Sequence, residues 1–174
     1  KPKRVLMTIG GAGAQSDFYT KMIRELLPKI EKKEVVVFVN IGDHKHVWDA
    51  ITKKIPELKG IANLCFDQWE QCQWIAKRAL EDEIEGLHVF YHQDIYAAVY
   101  STNLLMRASD ILVTKPSELA FYPIPKLFIK RVGGHEMWGA IHSAEIGDGT
   151  LECESADLAN QMMNLLLTED EHLS

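Results

Sequence analysis

Two apolar rhythms take turns along the chain. Short unbroken apolar runs alternate with longer segments whose apolar residues recur every three or four positions. The first kind reads as buried strand and the second as amphipathic helix. "RVLMTI" (4–9) is a strand-like run, and a helical pattern follows from about residue 16 to 33, with Ser16 as its expected N-cap and Asp17 in its first turn. "EVVVFVNI" (34–41) is the strongest strand signal, almost wholly β-branched or aromatic. A run of that kind suits a central strand covered on both faces.

The alternation continues. A helix is expected over about 44–55, a weaker strand near 61–66, and a helix within 67–85 that places Trp69, Cys72, Ile75, Ala76 and Ala79 on one face. "LHVFY" (87–91) predicts a strand, 94–109 a helix and "DILVTK" (110–115) a strand. Then come a polar turn and short helical piece, "PKLFIK" (125–130) as a strand, a helix near 135–146, "TLEC" (150–153) as a strand, and a last helix over about 156–167 before a charged tail expected to fray. Strand–helix alternation of this length predicts an α/β fold, a Rossmann-like open and mostly parallel sheet of about six strands with helices on both faces. No internal repeat or Pro/Gly-rich linker divides it, so residues 1–174 are expected to form one domain. Ligands of such sheets sit beyond the carboxyl ends of the strands, which directs attention to 10–16, 42–44, 91–94, 115–118 and 131–136.

Composition narrows the classes. With 47% hydrophobic and 25% charged residues the chain is that of a globular domain. A net charge of -6 speaks against a general nucleic-acid binder, despite the small basic groups Lys1, Lys3, Arg4 and Lys126, Lys130, Arg131. Cys65, Cys72 and Cys153 have no metal-type spacing and read as free thiols of a reducing compartment, so a cytoplasmic location is expected. No apolar run approaches the ~18 residues of a membrane span.

Three of the loops carry candidate chemistry. Gly10, Gly11, Ala12 and Gly13 form a nearly side-chain-free turn ahead of a helix N-terminus, where exposed N–H groups and the helix dipole favour an anion. The same residues also suit a bare strand-to-helix turn. They are a poor dinucleotide fingerprint: Ser16 stands where a third glycine belongs, and Asn40 and Ile41 stand where an acidic residue should end the second strand. Glu118, beyond the fifth strand, could hold a sugar diol or could simply be a solvated carboxylate at a helix start. Gly134, His135 and Glu136 repeat the loop-then-helix design.

Taken in order, these segments resemble the C-terminal domains of GT-B glycosyltransferases, in particular the enzyme that adds N-acetylglucosamine to lipid I and the plant galactolipid synthases. "ASDILVTKPSELAFYPIPKLFI" (108–129) is similar to "ADLVVTRSGALTxSEALAxGLPxLFV" of that family, "VLMTIGGAGAQ" to its first strand and glycine loop, "HVFYHQDI" to "V…FxDDM", and "GGHEMWGAIHSAEIGDGT" to "QQxxNAxxLExxGAG". The resemblance spans about residues 4–167, with an extra helix near 67–85.

It implies half of a GT-B fold and, as ligand, a nucleotide diphosphate sugar, with UDP-sugar foremost. Gly10, Gly11, Ala12 and Gly13 would face the diphosphate. Tyr91, His92 and Ile95 would surround the nucleobase, largely through the backbone at His92. Glu118 would hold the ribose, and Gly134, His135 and Glu136 the transferred sugar. No metal or other cofactor is implied. No catalytic residue is nominated, because the family's catalytic base and acceptor site belong to an N-terminal domain that this sequence does not contain. Through such a partner half the protein could sit peripherally at the inner face of a membrane. Two departures stand out: Pro116 replaces the family's glycine-rich turn before Ser117-Glu118, and Gly139 replaces an asparagine. They keep open a nucleotide-sugar-binding or regulatory module without transfer chemistry. A nonhydrolysing sugar-nucleotide epimerase is a further alternative, and a nicotinamide dehydrogenase the most distant.

Overall fold

The computed structural model describes residues 2–9, 16–114, 126–129, 151–153 and 156–173. The run Val35–Asn40 is buried at every position and forms strand β2. Its even burial follows from its place: parallel neighbours flank it on both edges and helices cover both faces. Beside it run β1 (Lys3–Thr8), in register from Lys3↔Val35 to Thr8↔Asn40, and β4 (Leu87–Tyr91), with Asn40 opposite Phe90. The remaining strands are β3 (Asn63–Phe66), β5 (Ile111–Thr114), β6 (Lys126–Ile129) and β7 (Leu151–Cys153). All pairings are parallel, and the order across the sheet is β3-β4-β2-β1-β5-β6-β7. Seven strands are thus seen among the described residues where about six are expected, and the fold is α/β and Rossmann-like as the alternation predicts.

The helices are α1 (Ser16–Glu31), α2 (Lys45–Lys54), the single turn α3 (Leu58–Ile61), α4 (Trp69–Leu80), α5 (Ile95–Arg107) and α6 (Ala156–Leu173). Successive residues of a strand point to opposite faces, so one strand feeds two cores. Val5, Met7 and Ile9 of the first run pack with Val37, Val39, Leu87 and Val89 under α1, α2 and α6. Leu6, Phe38, Cys65, Phe90 and Leu112 pack under α4 and α5 on the other face. Crossovers running outward from β1 through β2 to β3 lie on the first face, and those returning through β4 to β5 lie on the second. That is the arrangement right-handed connections require when the direction of travel reverses.

Some boundaries differ from expectation. Ser16 is the first residue of α1 itself, and its carbonyl accepts from Thr20 Oγ1 at 2.6 Å. α4 stops at Leu80, because the chain turns through a left-handed residue at Asp82 (φ 56°). The face expected for α4 is the buried one, with Cys72, Ile75, Ala76 and Ala79 inside. α6 runs on to Leu173, through the charged stretch expected to fray. Ala159 and Met163 of α6 are buried against the α1 side of the sheet. The helix expected near 135–146 lies outside the described residues.

Candidate functional site

Neighbouring strands send the chain to opposite faces where the direction of chain travel changes, and crevices open beyond their carboxyl ends at such points. Among the described residues β2/β4 is such a pair, with α2 on one face and α5 on the other, and β1/β5, where the first strand meets the returning chain, is the second place to inspect.

The β2/β4 pair is filled by the protein itself. Asn40, buried at the end of β2, donates from Nδ2 to Ala98 O (3.2 Å) and Thr102 Oγ1 (2.8 Å) of α5. Its Oδ1 accepts from the Gly42 amide at 2.9 Å. Gly42 O then accepts from the His92 amide, and Ile41 N donates to Phe90 O, both at 3.0 Å. Gly42 has φ 60°, so this fold-back suits a residue without a side chain.

Around β1/β5 the last residues of two strands meet. Thr8 Oγ1 donates to Thr114 Oγ1 at 2.5 Å, and the buried Tyr19 hydroxyl of α1 donates to Thr8 O at 2.5 Å. Burial pushes the Tyr19 phenol well up, so it stays a neutral donor. In the sequence, Gly10, Gly11, Ala12 and Gly13 follow the end of β1, and Glu118 follows the end of β5. Those residues, with Gly134, His135 and Glu136, lie outside the described residues. What is described is the frame from which two of the three segments depart, and it sets their starting points side by side.

At the end of β4 the three expected residues are in place but differ in character. The Tyr91 ring packs on Phe66 at a centroid distance of 5.4 Å. Ile95, first residue of α5, is largely exposed. His92 is only 2% exposed, and its ring turns into the α4–α5 interface against Trp69 at 5.9 Å. Its Nδ1 lies 3.2 Å from Ser101 Oγ, which itself donates to Ala97 O at 2.9 Å. One hydroxyl proton cannot serve both, so with it on Ala97 O, His92 carries its proton on Nδ1. Nε2 is then a buried acceptor that bonds nothing among the described residues. Burial lowers the His92 pKa, against an opposing pull from Asp67 and Asp94, and keeps the ring neutral. The backbone amide of His92 is committed to Gly42, so of the three residues only Tyr91, half-buried, and Ile95 are exposed at the strand end.

Two carboxylates fix this loop. Asp67, in the left-handed region at φ 55°, accepts from the Gln93 amide at 2.7 Å and donates its own amide to Tyr91 O at 2.8 Å. Asp94 caps α5 by accepting from the Tyr96 amide at 2.9 Å. The sequence reading singles out neither. The only trace either leaves is an acidic residue directly after an apolar run or directly before a helix. Among the described residues no group of three His, Cys, Asp or Glu side chains is placed to hold a metal ion, and no helix is long and apolar enough to cross a membrane. Arg4, from the amino-terminal basic group, is at the other end of the sheet. It donates to Ala79 O at 2.6 Å and pairs with Asp110 at 3.3 Å.

A parallel sheet of this order, with helices on both faces and a reversal of chain travel, defines a Rossmann-like α/β domain. Over residues 1–174 the chain matches, and belongs to, the family described as Domain of unknown function (DUF6938). No curated protein and no solved structure matches it.

Proposed function

We propose that this is the donor-binding domain of a GT-B-type glycosyltransferase, taking a nucleotide diphosphate sugar, foremost a UDP-sugar, at the carboxyl edge of the sheet. The observation that carries the reading is the contact between Thr8 and Thr114. It launches the Gly10–Gly13 segment and the Glu118 segment from adjacent points on either side of the strand-order reversal. A diphosphate over the first and a ribose held by the second require that proximity. β4, which would supply the base pocket, lies two strands from β1, roughly 10 Å at ordinary strand spacing. That matches the reach of a nucleoside diphosphate lying across the edge. The amide groups ahead of α1 would stabilise the diphosphate without a metal, by the mechanism that serves anions at helix N-termini.

The reading also gives a role to an otherwise unexplained surface. Ile95, Tyr96, Val99 and Tyr100 are all more than half exposed on the first turns of α5, next to the base-pocket positions. An apolar patch of this kind beside a crevice suits a facing domain. In a GT-B enzyme that domain holds the acceptor and the catalytic base. Pro116, standing where the resembled family has glycines, favours a second reading, a module that binds the donor without transferring it.

Titration calorimetry with UDP, UDP-glucose and UDP-N-acetylglucosamine tests the proposal. Saturable heat with at least one is expected, and folded protein that gives none at millimolar ligand would refute it. Glu118→Ala should weaken UDP about tenfold or more while leaving inorganic diphosphate nearly unaffected, because it removes a ribose contact alone. Equal losses for both ligands would remove Glu118 from the ribose.

A further inference from the structure

Among the described residues the sheet ends on one side at β3, whose outer edge pairs with no further strand. Between that edge and α4 opens a cleft of about 410 Å³, three strands away from β1. Its size falls within the range of small-molecule sites.

One wall holds Trp74, which is 50% exposed. An indole that large and that exposed is ordinarily free to change rotamer, but this one is held. The Arg78 guanidinium sits 5.2 Å from the ring centroid and is itself tied to Glu83 at 2.9 Å. The cation occupies one face of the ring and makes the indole a fixed platform.

The same cleft is lined by the amides of Asn63 on β3, of Gln68 ahead of α4 and of Gln71 on α4 itself, one turn before Trp74. The orientation of Asn63 is set from below. His88 is buried, and its Nε2 lies 2.9 Å from Glu85 O, so that nitrogen carries the proton. Nδ1 is then an acceptor, 3.5 Å from Asn63 Nδ2, and this contact turns the Asn63 amide nitrogen towards His88. Burial lowers the His88 pKa and favours the neutral ring.

The two carboxylates of the lining are matched by cations, Glu83 by Arg78 and Glu85 by Lys33 at 3.6 Å. Exposed pairs of this sort add little stability, but they cancel charge. The result is an aromatic plate bordered by neutral amides, with its carboxylates paired to cations. A pyranose ring meets both requirements, with apolar C–H groups on one face and hydroxyls at its rim. We propose that the cleft along β3 binds a neutral saccharide, stacked on Trp74 and hydrogen-bonded by Asn63, Gln68 and Gln71. The proposal does not depend on the donor site beyond the carboxyl ends of β4, β1 and β5.

Proton–nitrogen NMR titration of the whole chain with glucose, N-acetylglucosamine, cellobiose and glucose 6-phosphate tests it. Saturable shifts of the Trp74 indole N–H and of amides in 63–71 and 83–88 are expected with a neutral sugar, with glucose 6-phosphate weaker than glucose. Trp74→Ala should cost about tenfold in affinity, and Gln71→Ala, which keeps the indole, a smaller loss. No saturable shift with any neutral sugar at about 50 mM, a limit set by millimolar affinity, would overturn the site. So would shifts that Trp74→Ala leaves unchanged. Tighter binding of glucose 6-phosphate in the cleft would overturn its assignment to neutral ligands.

Discussion

Asn40 shows how much one side chain can settle. It occupies a register level shared by Thr8 and Thr114, so the three central strands each end on a polar residue after an apolar run. Asn40 uses both its donors and its acceptor on α5 and on the turn to α2. Asn40→Ala should therefore cost about 3 kcal/mol, since it strands the Gly42 amide and removes the two bonds that tie β2 to α5. Urea unfolding with an unchanged m-value is the measurement, and a loss below about 1 kcal/mol would show that water replaces the network. In the sequence Asn40 is visible only as a missing acidic residue. Its partners are 58 and 62 residues away on another element, and no local pattern announces them. The same holds for Thr8 and Thr114, 106 residues apart. Tyr91, His92 and Ile95 are legible as a strand end, but the inward turn of the His92 ring is decided by packing against Trp69.

Elements were the most legible scale. The strands and the helices α1, α2, α4 and α5 fall where the apolar rhythm puts them, because each strand core is an unbroken apolar run and each helix has one apolar face. The ends are less legible, as α4 illustrates: its stop depends on the left-handed Asp82 and not on any glycine or proline. α3 escapes notice because one turn has no periodicity to read. Element scale is also where Asp94 acts. It caps α5 and orients the 92–94 loop, so Asp94→Ala should destabilise by about 1 kcal/mol, whereas Asp94→Asn or Asp94→Ser should restore most of the loss. Amide exchange across the first turn of α5 would localise the effect. Uniform loss of protection over the whole sheet would contradict it.

At the scale of the molecule, the two buried histidines couple folding to pH. His88 and His92 both have folded pKa values below the ordinary 6.5. The unfolded chain therefore takes up their protons first as pH falls. Their stabilising contribution is complete above about pH 6.5 and is lost progressively below it, towards the folded values. The slope is at most about 1.4 kcal/mol per pH unit for each histidine. Denaturant unfolding at pH 7, 6 and 5 should show this decline, and His88→Gln should make it shallower; an unchanged slope would exclude His88 as a contributor. The order of the sheet has another consequence, for the chain as it is made. β1 is the first strand and the centre of the sheet, yet one of its flanks pairs with β5, and Arg4 waits for an Asp110 that comes 106 residues later. At a synthesis rate of 5–20 residues per second, that flank stays open for about 5–20 s. Lys3 and Arg4 sit at the mouth of this unpaired edge, where charge opposes premature pairing with another nascent chain.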